Sequence, residues 1–301
     1  MQKIVARLAN FGWGIVCRFA FSPSYSRDRL RKNFDRLAGI SIKKLKKEFP
    51  KSEFRSVRLG NCKAEIITAS DSPSWNLFYL HGGGYFMGSI HSYRASALEM
   101  AHQLDAKVFL LDYRLCPENP YPAGLDDAVS AYKMIQESYS DLPLLIGGDS
   151  AGGGLALALL LKLRDEKISL PKGAFLMSPW TDLLGSGTSM TANRARDVWL
   201  SKEQLDSWSA WYAGNANKSH PYLSPHFGDF SGICPLMVFA GDQEVLSDDA
   251  IRLFASEKNQ NAKSKLFIGQ QMQHVWILLL PFLRESKNAW TALKSFVSEL
   301  K

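Results

Sequence analysis

The 301 residues are 46% hydrophobic and 22% charged, an ordinary globular balance that excludes a disordered, collagen-like or repeat-array chain and is read as one domain over 1–301. The net charge of +7 is uneven: residues 1–58 hold 15 Lys or Arg against Asp28, Asp35, Glu48 and Glu53, and the remainder is mildly acidic. A basic segment that also carries Phe11, Trp13, Phe19 and Phe21 suits an anionic membrane surface or a nucleic acid, but no nucleic-acid-binding signature accompanies it, and the solvated face of a helical cap is the preferred reading.

Before about residue 45 the pattern is helical and basic. The runs 54–59 and 63–68, separated by Gly60-Asn61, predict a hairpin at an antiparallel edge. Further β-rich runs at 76–80, 107–112, 142–147, 173–178, 236–240 and 265–268 bring the strands to eight. Helices are predicted over 92–104, 125–138, 151–164, 248–258 and 282–300. This alternation is that of a mainly parallel sheet with helices on both faces. Two stretches fall outside it, 1–45 and 185–222, the second carrying Trp199, Trp208, Trp211 and Tyr212 at helical spacing. Placed before and within such a sheet, they predict a cap over its carboxyl edge, where ligand crevices lie.

Cys17, Cys62, Cys116 and Cys234 lie 45, 54 and 118 residues apart, with no CxxC pair and no Cys/His cluster of metal-ligand spacing. No metal and no disulfide is expected. The apolar run 11–21 is broken by Arg18 and no small-residue cleavage site follows it. The longest uncharged apolar stretches, such as 151–161, fall well short of the roughly 20 residues of a membrane span. The expected location is cytoplasmic.

Gly148-Asp149-Ser150-Ala151-Gly152 is a Gly-x-Ser-x-Gly match that chance alone supplies in about one chain of this length in ten. Its weight comes from context. The apolar run Leu144-Leu145-Ile146 precedes it and the helical 151–163 follows, the strand-turn-helix setting in which a strained turn presents a nucleophilic serine. The following helix then offers the Ala151 N–H to a developing oxyanion. His81-Gly82-Gly83-Gly84, directly after a predicted strand, offers Gly82 and Gly83 as further donors. An acid and then a base should follow in the chain. His220 and His226 sit too early, beside Pro221 and Pro225, whereas His274 follows the last predicted strand and is the expected base. Position alone leaves Asp242 and Glu244 tied as the acid, Asp248 and Asp249 reading as first-turn carboxylates of a helix.

With these residues the chain resembles the hormone-sensitive-lipase family of α/β-hydrolases, in its bacterial carboxylesterase branch, over about 76–280. The motifs are His81-Gly82-Gly83-Gly84-Tyr85, Asp112-Tyr113-Arg114-Leu115-Cys116-Pro117-Glu118, Gly148-Asp149-Ser150-Ala151-Gly152-Gly153 and Ser178-Pro179-Trp180-Thr181-Asp182-Leu183. The resemblance implies an α/β-hydrolase fold with eight strands and a helical cap. It also implies an acid two residues before a Leu that is itself two before an Asp, a frame that Glu244-Val245-Leu246-Ser247-Asp248 fills and Asp242 does not. Glu stands there where the family more often has Asp. Asp149 and Glu118 are expected to brace the serine turn and its neighbour, and Asp182 to be structural.

The expected chemistry is cofactor-free hydrolysis of small to medium acyl esters through an acyl-enzyme. A lactone or an amide would meet the same three residues, and a non-catalytic small-ligand receptor is the reading from another class. A protease with the order His, Asp, Ser on an all-β fold is excluded by order and by the helix after Ser150. Homodimers are common in the family and carried as an expectation of the resemblance alone.

Overall fold

The computed structural model describes residues 25–256 and 261–301, together with Gly12, Gly14, Val16, Ala20 and Phe21. Phe11, Trp13, Phe19 and Cys17 lie outside the described residues. The chain enters through two basic helices, α1 (Arg27–Ala38) and α2 (Ile42–Glu48), capped by the Ser26 and Ser41 side chains. Then comes the sheet: β1 (Glu53–Leu59), β2 (Cys62–Thr68), β3 (Trp75–Leu80), β4 (Ala106–Asp112), β5 (Leu144–Asp149), β6 (Gly173–Met177), β7 (Leu236–Gly241) and β8 (Lys265–Gly269).

The spatial order is β1-β2-β4-β3-β5-β6-β7-β8. The pairs β1/β2 and β2/β4 are antiparallel and all others parallel. β3 and β6 are buried at every residue, as parallel strands covered on both faces must be. One face carries α3 (Ile90–Leu104) and α10 (Arg284–Ser298), which pack on each other. The other carries α4 (Ala123–Ser138), α5 (Ser150–Asp165) and α8 (Ser247–Ala255). α5 is buried from Ala151 through Leu161, a helix apolar on all sides and therefore central.

Where expectation and structure differ, a local cause is visible. β5 runs Leu144–Asp149 against the expected 142–147; its end extends into Gly148 and Asp149, which pair with Leu80 of β3 and with Leu176 and Met177 of β6. α3 starts at Ile90 rather than 92, behind a capping box between Ser89 and Ser92. The expected helix 282–300 is present as α10 (Arg284–Ser298), and a further short helix that was not expected, α9 (Trp276–Leu279), precedes it across Pro281. The stretch 185–222 folds as α6 (Ser189–Ala192) and α7 (Lys202–Ala213) with connecting turns. Among the described residues no helix is long and apolar enough to cross a membrane.

Candidate active site

Ser150 opens α5 at the end of β5 with φ of +51°, in the left-handed region. Its flanking glycines permit the turn. A Cβ at Gly148 would strike the Gly152 carbonyl, and one at Gly152 would strike the carbonyls of Leu80 and His81, so only glycine lets β3, β5 and α5 approach this closely.

The loop after β8 brings His274 to this turn. Its Nε2 stands 2.9 Å from Ser150 Oγ and its Nδ1 2.6 Å from Glu244 Oε2. A carboxylate only accepts, so Nδ1 carries the proton and Nε2 is left to accept from the serine hydroxyl. Glu244 is fully buried, and its Oε1 accepts from Ser178 Oγ at 2.9 Å and from the Gly241 N–H. Ser178 Oγ also accepts from the Val275 N–H at 3.0 Å, so one hydroxyl links the acid to the residue after His274. Asp242 is directed elsewhere: its Oδ1 accepts from the Gln271 N–H at 2.6 Å and from Gln243 Nε2 at 3.0 Å, bracing the histidine loop.

The glycine loop after β3 differs from expectation at one donor. Gly82 N–H donates to Asp149 Oδ1 at 2.9 Å and Tyr93 Oη at 3.1 Å, so it is occupied and does not face a ligand. The two donors after it have the opposite setting. His81 Nδ1 donates to the Gly82 carbonyl at 2.8 Å, and Phe86 and Met87 N–H donate to the Gly83 carbonyl at 3.2 and 3.0 Å. A trans peptide puts the next N–H on the opposite side of each carbonyl. Gly83 and Gly84 N–H are thereby turned away from these ties, and neither finds an acceptor among the described residues. Both residues have positive φ, +114° and +61°. Ala151 N–H, in the first turn of α5, likewise has no intrahelical partner.

Asp149 sits beneath this loop, accepting from Tyr79 Oη at 2.8 Å and Tyr93 Oη at 2.7 Å besides Gly82. Burial pushes its carboxyl above the usual range, and the three donors oppose that shift. His81, stacked on Tyr113 at 4.4 Å, is pushed down by burial. Glu118 lies farther out, paired with Arg31. Asp182 accepts from the Leu184 and Ser186 N–H groups at 2.9 and 3.0 Å and holds a turn, as expected of a structural residue. His226 contacts Arg252 and His220 accepts from the Tyr222 N–H, both away from Ser150.

Three contributors escaped sequence reasoning. Ser178 had a signal, a serine closing a strand at the carboxyl edge within a quoted motif. Asn193 and Asp197 had none. Asn193 Nδ2 donates to the carbonyls of Asp242 and Glu244 at 3.1 and 2.9 Å, and Asp197 accepts from the Val245 N–H at 2.8 Å, so the two clamp the backbone around the acid.

Aromatic side chains of 185–222 cover the loop and the base. Tyr212 stacks on Tyr85 at 3.7 Å, Trp208 and Trp211 meet Phe86 at 5.1 and 5.2 Å, and Trp199 meets the His274 ring edge-on at 5.5 Å. Between α1, α7 and the glycine loop lies a cavity of about 470 Å³, lined by Leu30, Phe86, Met87, Trp208 and Trp211 with Arg27 at its side. Among the described residues no group of three His, Cys, Asp or Glu is placed to hold a metal ion.

Residues 77–278 match the protein family described as having the alpha/beta hydrolase fold. An acetyl-hydrolase of Streptomyces hygroscopicus is 36% identical over 242 residues, 80% of this chain and 81% of that one. Among solved structures, the protein EstE5 soaked with ethyl alcohol superposes with a TM-score of 0.88 at 33% identity, covering 97% of this chain and 98% of its own. An esterase from the bacterial hormone-sensitive lipase family superposes with a TM-score of 0.87 at 31% identity, covering 97% of each chain.

Proposed function

The chain belongs to the hormone-sensitive-lipase family of α/β-hydrolases, and on that premise we propose that it is a serine carboxylesterase with Ser150 as nucleophile, His274 as general base and Glu244 as the acid behind it. The observation that carries this reading is the unbroken chain of contacts, 2.9 Å from Ser150 to His274 and 2.6 Å from His274 to Glu244.

In the proposed mechanism His274 Nε2 takes the hydroxyl proton as Ser150 Oγ adds to the ester carbonyl. The N–H groups of Gly83, Gly84 and Ala151 receive the oxyanion; Gly82 is not among them, its N–H being bound by Asp149. Glu244 holds the imidazole in the right tautomer and balances its charge. The tetrahedral adduct collapses, His274 gives its proton to the departing alkoxide, and the acyl group stays on Ser150. Water repeats the cycle: His274 takes its proton, hydroxide adds to the acyl carbon, and the acid leaves as Ser150 regains a hydrogen.

The described residues act as one domain, with α1 and α2 of the N-terminal stretch and 185–222 as its cap. The cavity between α1 and α7 receives the apolar chain of a small to medium ester; its size lies within the range of small-molecule sites. The lysines of α2 support a solvated outer face, since Lys43, Lys44, Lys46 and Lys47 are exposed and only Leu45 turns inward. Cys62, Cys116 and Cys234 are free and buried, in keeping with a cytoplasmic protein.

The test is hydrolysis of p-nitrophenyl esters of graded acyl length by the purified chain. Turnover is expected on the shorter esters and a loss of about 10³-fold or more in Ser150→Ala. A wild-type protein no faster than Ser150→Ala would overturn the proposal.

A further inference from the structure

The glycine loop is also tied from outside the sheet. Arg31 of α1 spans the gap: its Nε donates to the Phe86 carbonyl at 2.6 Å and its Nη2 to the Cys116 carbonyl at 2.8 Å. Nη1 and Nη2 also meet the two carboxylate oxygens of Glu118 at 3.0 and 2.6 Å. Cys116 N–H in turn donates to the Tyr85 carbonyl at 2.9 Å. One guanidinium therefore links the Tyr85–Phe86 end of the loop to the turn at Cys116, with a carboxylate to neutralise it.

Three consecutive glycines are costly to order, because they have the widest conformational freedom of any residue. The peptide that ends the glycine run is fixed only through its far neighbours, since Phe86 and Met87 N–H hold the Gly83 carbonyl. Whatever fixes Phe86 thus sets the direction of the Gly84 N–H.

We propose that Arg31 is a positioning residue for ester hydrolysis, its guanidinium holding Phe86 and Cys116 so that the Gly84 N–H stays aimed at the oxyanion. This rests on the reading of that N–H as an oxyanion donor. A planar fork is required: an ammonium is a point charge and does not satisfy two separated carbonyls and a carboxylate together. The geometry also connects binding to chemistry. Arg27 and Leu30, within one turn of Arg31, line the cavity, so a chain seated there packs on the helix that steadies the loop.

The experiment compares Arg31→Gln, Arg31→Lys and Glu118→Gln in the full chain, with p-nitrophenyl acetate as substrate and a trifluoromethyl ketone as a tetrahedral-adduct inhibitor. Arg31→Gln is expected to lower kcat about 10- to 100-fold with KM within about threefold, and to raise the inhibition constant by the same factor as kcat falls. Arg31→Lys should recover part of the loss, and Glu118→Gln should fall between Arg31→Gln and wild type. Thermal midpoints are measured alongside, with Leu45→Ala as a variant that loosens α2 without touching the loop. A kcat within twofold of wild type in Arg31→Gln, or a kcat loss that Leu45→Ala reproduces at an equal drop in midpoint, would overturn the proposal. An inactive wild-type protein would instead remove the esterase reading beneath it.

Discussion

Ser150 holds a backbone conformation, φ of +51°, that costs a non-glycine residue about 1–2 kcal/mol. Ser150→Ala loses the hydroxyl but keeps that cost, whereas Ser150→Gly loses both. The glycine variant, equally inactive, is therefore expected to be about 1 kcal/mol more stable than the alanine variant in denaturant unfolding, and equal stabilities would mean the turn is unstrained. At the acid, Glu244→Gln is expected to lower kcat about 10³- to 10⁴-fold by upsetting the His274 tautomer. Asp242→Asn keeps an acceptor for the Gln271 N–H and should cost less than about tenfold; the reverse order in steady-state assays would exchange their roles. The sequence made Ser150 and His274 legible, one by its strand-turn-helix setting and the other by its place after the last strand. It did not reveal which glycine N–H groups are open, because Gly82 is claimed by Asp149 and Tyr93, partners 67 and 11 residues away.

At the scale of elements, the alternation of strand and helix was readable because each strand is a short apolar run between turn residues. What was not readable were ends governed by contacts from elsewhere. β5 continues into Gly148 and Asp149 because its neighbours β3 and β6 pair with them, and α8 begins in a turn whose acid serves a distant loop. That acid is Asp249. Its Oδ2 accepts from the Thr181 and Asp182 N–H groups at 2.7 and 2.9 Å, joining α8 to the segment after β6. Burial, aided by the nearby Asp182 charge, holds its carboxyl up at about 7. The folded protein therefore keeps a proton that the unfolded chain, titrating near the ordinary carboxylate value of about 4, has already lost. Its contribution to stability is full below about pH 4 and declines as pH rises to about 7. Asp249→Asn retains the acceptor and cannot ionise, so it should melt above wild type at pH 8, with the difference shrinking toward pH 4. A midpoint difference that does not change with pH would sink this account.

Over the whole molecule, the sheet order explains how residues far apart in sequence meet. β3 and β5 are neighbours at its centre, and β7 and β8 lie together at one side, so the glycine loop, Ser150, Glu244 and His274 all leave strands at the same carboxyl edge. The order of the motifs gave that convergence, but the covering helices were legible only as two stretches outside the alternation. Their net charge in particular was misleading at the level of composition, since one of the basic residues, Arg31, is directed inward at the loop.

The edge-on approach of Trp199 to the His274 ring at 5.5 Å has an optical consequence. A protonated imidazole draws an electron from an excited indole beside it, so Trp199, one of the eight tryptophans, is expected to dim when His274 is charged. A trifluoromethyl ketone that adds to Ser150 leaves the serine proton on His274, and emission should fall as the adduct forms. Trp199→Phe should abolish that fall while ester hydrolysis remains measurable by absorbance, and an undiminished fall would assign the signal to another tryptophan. If His274 is the base proposed above, the emission of Trp199 would report the charge of its imidazole.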